Sequence, residues 1–149
     1  MGRILAVDYG MKRSGVAVSD PMQIIAQGLT TVETCRLEAF LESYFEKEDV
    51  ESVVVGRPVQ PSGADSENAA RVDSFVDAFR ARFPSVPVET YDERFTSVMA
   101  HDAMLRGGLG KVRRRDKALV DRVSATIILE GYMESRRIKE SRGKDVLSK

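Results

Sequence analysis

The chain has no tryptophan, one cysteine (Cys35), one histidine (His101) and five prolines in 149 residues. A single cysteine excludes an intrachain disulfide framework, and one cysteine with one histidine makes a zinc cluster improbable. This cysteine usage fits a reducing, cytoplasmic compartment. Long apolar runs are also lacking. The N-terminal run, Ile4 to Val7, is four residues long, too short for a signal peptide or a membrane span. Repeats, low-complexity tracts and Pro/Gly-rich linkers are absent, so residues 1–138 read as one domain followed by a basic tail, 139–149, expected to be disordered.

Net charge is lacking too, with 23 cations against 23 acids, but the balance hides a strong asymmetry. Arg106 to Lys117 carries six cations against Asp116, and Arg136 to Lys149 carries six against Glu140 and Asp145. An acidic body with two basic segments suits a polyanionic partner, and it equally suits two solvated stretches. The apolar share of 42% and charged share of 31% are those of a folded globular protein.

The apolar pattern predicts strands at Arg3–Val7, Ser14–Ser19 and Ala26–Val32, with Met11-Lys12-Arg13 closing a hairpin after Gly10 between the first two. Thr34 is the expected N-cap of an amphipathic helix carrying Leu37, Phe40, Leu41, Tyr44 and Phe45. A buried strand at Ser52–Val55 leads into a proline-rich loop. Ser66 then caps a helix with Ala69, Val72, Phe75, Val76, Phe79 and Phe83 on one face. A fifth strand is expected at Val86–Tyr91, a helix from Thr96 or Ser97 to about Leu105, a glycine-rich basic loop, and a last helix from about Lys117 to Arg137. Short turns make the first three strands an antiparallel meander, whereas the later strands need crossovers and should be parallel. The fold class is thus α/β, a mixed five-stranded sheet covered by helices.

Ligands bind beyond the carboxyl ends of parallel strands. Asp8 ends the first strand, Asp92-Glu93-Arg94 follows the fifth, and Asp121 lies one turn inside the last helix, on the side of Lys117 and Ala125. Several carboxylates at one sheet end repel each other unless a hard cation such as Mg²⁺ neutralises them. Two such ions can activate water and stabilise a leaving oxygen. Plainer readings exist for each acid: a turn residue at Asp8, a helix-start charge at Asp92-Glu93, and an exposed partner of Lys117 at Asp121.

The stretches LAVDYGMKRSGVAVSD, VVVGRP…SG, YDERFTS and KALVDRVSATIILEGY resemble, in order and spacing, the motifs of the YqgF-type family. That family is described as Holliday-junction-resolvase-like, or as nucleases maturing precursor small-subunit ribosomal RNA. The resemblance covers residues 3 to about 137. It implies an RNase H-like fold with strand order 3-2-1-4-5 and strands 1, 4 and 5 parallel. It also implies that Asp8, Glu93 and Asp121 are the catalytic, metal-binding acids, with Asp92 in support and Mg²⁺ or Mn²⁺ in a two-metal site. Arg57, Arg94, Lys111, Arg113, Arg114, Arg115 and Lys117 would then contact phosphates. One departure stands out: the family usually has Leu-Pro after the fourth strand's glycine, and this chain has Arg57-Pro58-Val59-Gln60.

The expected function is a divalent-metal-dependent endonuclease maturing the 5′ end of pre-16S rRNA, acting as a monomer or homodimer. A resolvase of branched DNA and a non-catalytic RNA-binding assembly factor are the alternatives. Asp-x-Gly hairpins also hold ATP phosphates in actin-like ATPases, but no adenosine-binding segment is visible in this chain.

Overall fold

The computed structural model describes the backbone of residues 2–57, 67–92 and 117–147, and the side chains of 2–57, 68–92 and 122–138. The strands are β1 (Arg3–Asp8), β2 (Arg13–Ser19), β3 (Ala26–Glu33), β4 (Val50–Arg57) and β5 (Val88–Asp92). The helices are α1 (Leu37–Lys47), α2 (Glu67–Arg82) and α3 (Lys117–Leu147), and a 3-10 turn at Thr34–Arg36 precedes α1. The helix expected between Thr96 and Leu105, and the glycine-rich loop after it, lie outside the described residues.

The sheet order is β3-β2-β1-β4-β5. β1 pairs antiparallel with β2, and β2 with β3, while β1–β4 and β4–β5 are parallel. This is the expected RNase H-like arrangement, with β1 at the centre. Helices cover both faces, so the central strands are apolar on both sides. On one face Leu5, Val7, Val16, Val53 and Val55 pack against Leu37 and Leu41 of α1 and Val72, Phe75, Val76 and Phe79 of α2. On the other face Ile4, Ala6, Ala17 and Val54 meet Ala125, Ile128, Leu129, Tyr132 and Met133 of α3. The small alanines there let the long helix lie close to the sheet.

Some boundaries differ from the sequence expectations for identifiable reasons. β5 begins at Val88, not Val86, because Pro87 has no N–H for the ladder; its carbonyl still accepts from the Val53 N–H at 2.9 Å. Thr34 does not cap α1. The helix starts after Arg36 with no side-chain cap, and the Thr34 hydroxyl instead turns to the β1–β2 connection. α3 continues as helix to Leu147, well past the expected end near Arg137. Its last ten residues are rich in Lys, Glu and Arg, whose helix propensity outweighs the single Gly143.

Where α3 crosses β5, the Tyr132 hydroxyl donates to Glu89 Oε1 at 2.6 Å. Burial, and then this bond to a carboxylate, push the Tyr132 phenol up to about 12. A raised folded-state pKa means that this contribution to stability is complete below the ordinary value near 10 and is lost as pH rises towards 12. Tyr132→Phe should therefore cost about 1 kcal/mol at neutral pH and flatten the loss of stability between pH 10 and 12. Urea unfolding at pH 8 and pH 11 checks both effects, and an unchanged alkaline slope would contradict the assignment.

Candidate active site at the carboxyl ends of the parallel strands

β1, β4 and β5 run in parallel, so their carboxyl ends lie side by side: Asp8, then Gly56-Arg57, then Tyr91-Asp92. Asp8 is half-buried at the last position of β1, with its Cα opposite Gly15. Alternation along the strand gives Asp8 the parity of Ile4 and Ala6, which face α3. The opposite parity, that of Leu5 and Val7, belongs to the α1–α2 face.

α3 brings its first turn to the same end. Met133 packs with Ile4 at the start of β1, and Arg137 donates to the Ile24 carbonyl in the β2–β3 loop at 3.0 Å. The helix thus runs antiparallel to β1. At 1.5 Å per residue, Ala125 lies about 12 Å from Met133 along α3. At about 3.3 Å per residue, Asp8 lies roughly 13 Å from Ile4 along β1. Ala125 is therefore level with the end of β1, and position 121 falls one turn further out on the same stripe. Of the expected trio, Asp8 is described in full, Asp121 has its backbone in α3 but its side chain outside the described residues, and Glu93 lies outside them. Arg94, Lys111, Arg113, Arg114 and Arg115 also lie outside, as does the Lys117 side chain.

Arg57 is described, and its guanidinium is engaged. Its Nε and a terminal nitrogen donate to the two carboxylate oxygens of Asp73 on α2, each at 3.1 Å. This two-pronged pair ties the end of β4 to α2.

The turn following Asp8 is clamped from three sides, which the sequence alone did not reveal. The Thr34 hydroxyl donates to the Gly10 carbonyl at 2.7 Å and lies 2.9 Å from Ser14 Oγ. Ser14 is buried, and its Oγ accepts from the Gly10 N–H at 3.4 Å. Asn68 of α2 donates to the Tyr9 carbonyl at 3.1 Å. Gly10 is required because a Cβ there would stand 2.2 Å from the Arg13 carbonyl oxygen, well inside contact distance. Ser14, Thr34 and Asn68 are thus positioning residues for the segment that carries Asp8. Polar residues near turns are common, so only their contacts identify them.

Among the described residues, no three His, Cys, Asp or Glu side chains gather into a metal site. The described acids at this sheet end are nevertheless carboxylates, Asp8 at the end of β1 and Asp92 at the end of β5, with β4 between them. An all-oxygen set of this kind fits a hard divalent cation rather than zinc. No described helix is long and apolar enough to cross a membrane.

Comparison with known proteins agrees with this architecture. Residues 2–135 match the family described as "RuvX: Holliday junction resolvase". A protein of Phocaeicola vulgatus named "Putative pre-16S rRNA nuclease" is 57% identical over 137 residues, covering 92% of this chain and 99% of that one. A Flavobacterium johnsoniae protein of the same name is 52% identical, with the same coverage. Among solved structures, Thermus thermophilus RuvC in complex with a Holliday junction substrate matches with a TM-score of 0.52 at 22% identity, covering 92% of this chain and 96% of that one. At that identity the likeness concerns the fold.

Proposed function

The chain belongs to the RuvX family, and from that membership we propose that it is a divalent-metal-dependent endonuclease that matures the 5′ end of pre-16S rRNA in the cytoplasm. The observation that carries this reading is the place of Asp8. It is a half-buried carboxylate at the end of the central strand, on the face towards which α3 brings its first turn. Relatives more than half identical bear the rRNA nuclease name.

Asp8, Glu93 and Asp121 would hold the metal. Divalent ions bound there supply activation of water and neutralisation of charge on the scissile phosphate. The chain's own part is to fix Asp8 through the Ser14–Thr34–Gly10 clamp and to hold the strand's phosphates. Arg57, Arg94, Lys111, Arg113, Arg114, Arg115 and Lys117 are the proposed phosphate contacts. Hydrolysis adds water across the P–O3′ bond, leaving a 5′-phosphate and a 3′-hydroxyl. Residues 1–138 form the nuclease domain on this reading. One site suffices for trimming RNA as a monomer, whereas symmetric junction cutting requires a dimer.

The test offers pre-16S rRNA and a four-way DNA junction side by side, with Mg²⁺, Mn²⁺ or chelator. Cleavage of the RNA that either ion restores after chelation is the expected result. Faster cutting of the junction would replace the substrate assignment with the resolvase alternative. Tight RNA binding without cleavage in any metal would overturn the enzyme reading in favour of an assembly factor.

A further inference from the structure

Tyr9 follows Asp8 directly but has the opposite strand parity, so its ring lies on the α1–α2 side. There it stacks on Phe75 of α2, with centroids 4.8 Å apart and planes 28° from parallel. Both rings line an open cavity of about 400 Å³ between α1 and α2, within the ~300–1,000 Å³ range typical of small-ligand pockets. Ala70, Ser74 and Ala78 of α2 line its wall at four-residue spacing and are all solvent-exposed. Small side chains on that stripe keep the groove open.

The charges restrict what can enter. The cavity has one cation, Arg71, and one carboxylate, Glu38, and Glu38 is itself paired with Arg82 at 2.8 Å. A phosphate on the groove floor would meet Glu38. A neutral planar group would meet the aromatic floor, with Arg71 available to the phosphate attached to it. Aromatic rings with a neighbouring cation form the surface on which unpaired bases stack.

We propose that this α1–α2 groove holds an unpaired nucleobase of the nucleic acid bound at Asp8. The proposal rests on the nuclease reading and names a subsite of it. Asp8 and Tyr9 project to opposite faces of the sheet end, so the base belongs to a nucleotide neighbouring the scissile one. The protein would thereby favour sites where a strand is unpaired beside the cut. Tyr9 supplies the stacking surface, Arg71 the phosphate contact, and Ser74 the wall.

The test is binding of a single-stranded RNA carrying 2-aminopurine, and of a fully paired RNA duplex, to the full chain in chelator so that nothing is cut. Quenching of 2-aminopurine fluorescence is expected on binding. Ser74→Leu fills the groove at an exposed helical position and should weaken single-strand binding about tenfold while leaving duplex affinity within about twofold. Tyr9→Phe should bind like wild type and Tyr9→Leu should not, with circular dichroism confirming the fold of each. Single-strand affinity unchanged in Ser74→Leu, or lost in the same proportion as duplex affinity, overturns the groove. A wild type that cuts RNA once Mg²⁺ is supplied, yet does not quench the probe in chelator, overturns the groove and leaves the nuclease standing. A wild type that neither binds nor cuts overturns both.

Discussion

Asp8→Asn is expected to slow phosphodiester cleavage by about a hundredfold or more, equivalent to several kcal/mol of barrier, while the protein stays folded. The substitution keeps size and shape and removes one negative charge. Asp8 ends β1 rather than filling the core, and the residues that pack the two faces, from Ile4 to Val7, are untouched. A loss of activity with normal unfolding would therefore report on chemistry. The neighbouring clamp provides a contrast. Ser14, Thr34 and Asn68 act on the backbone of Tyr9 and Gly10, so their removal should affect stability and activity together. Steady-state cleavage rates and urea unfolding, measured on the same preparations, separate the two kinds of effect. Wild-type rates in Asp8→Asn would show that the site has been placed on the wrong residue.

Phe79→Ala is expected to destabilise the protein by about 3–5 kcal/mol. Phe79 is completely buried on the α1–α2 face of the sheet. Its ring is edge-on to Phe45 at 6.1 Å and tilted against Phe83 at 5.0 Å and Phe75 at 6.2 Å. Truncation removes the transfer term of a large side chain, leaves a cavity, and breaks three ring contacts that each add about 0.5–1.5 kcal/mol beyond area burial. At this chain length the loss corresponds to a fall in Tm of roughly 6–20 °C. Phe79→Leu, which keeps most of the volume, should cost much less. The effect reaches the active end of the sheet, because Phe75, one turn away, is the platform under Tyr9. A loss below about 1 kcal/mol would mean that α2 does not anchor this layer.

Much of this arrangement is readable from residue order. The α2 face is legible because Ala69, Val72, Phe75, Val76 and Phe79 recur at helical spacing, and all five are buried. The strand directions follow from hairpin-length connections between β1, β2 and β3 and helical crossovers before and after β4, whereas the order of the strands comes from the family resemblance. The place of Asp8 at the end of the central strand is legible, since a carboxylate directly after four apolar residues marks where a buried strand ends. Other features depend on contacts that no spacing encodes. Thr34 looks like a helix cap by type, but its hydroxyl is drawn to the Gly10 carbonyl across 24 residues of sequence. Gly10 looks like a flexible turn residue, whereas its actual constraint is the Arg13 carbonyl. Arg57 reads as a phosphate contact, and its pairing with Asp73 is visible only because α2 returns over the end of β4. The pocket beside Tyr9 exists only once α1 and α2 are placed together.

The carboxylate ending β1 is proposed to help hold a divalent metal at the end of the sheet. Mn²⁺ binding, followed by electron paramagnetic resonance on wild type and Asp8→Asn at equal protein concentration, tests it without recourse to a substrate. Wild type should take up Mn²⁺, and Asp8→Asn should bind it at least about tenfold more weakly, with an unchanged circular dichroism spectrum. Equal Mn²⁺ affinity in the two proteins would contradict this role for Asp8.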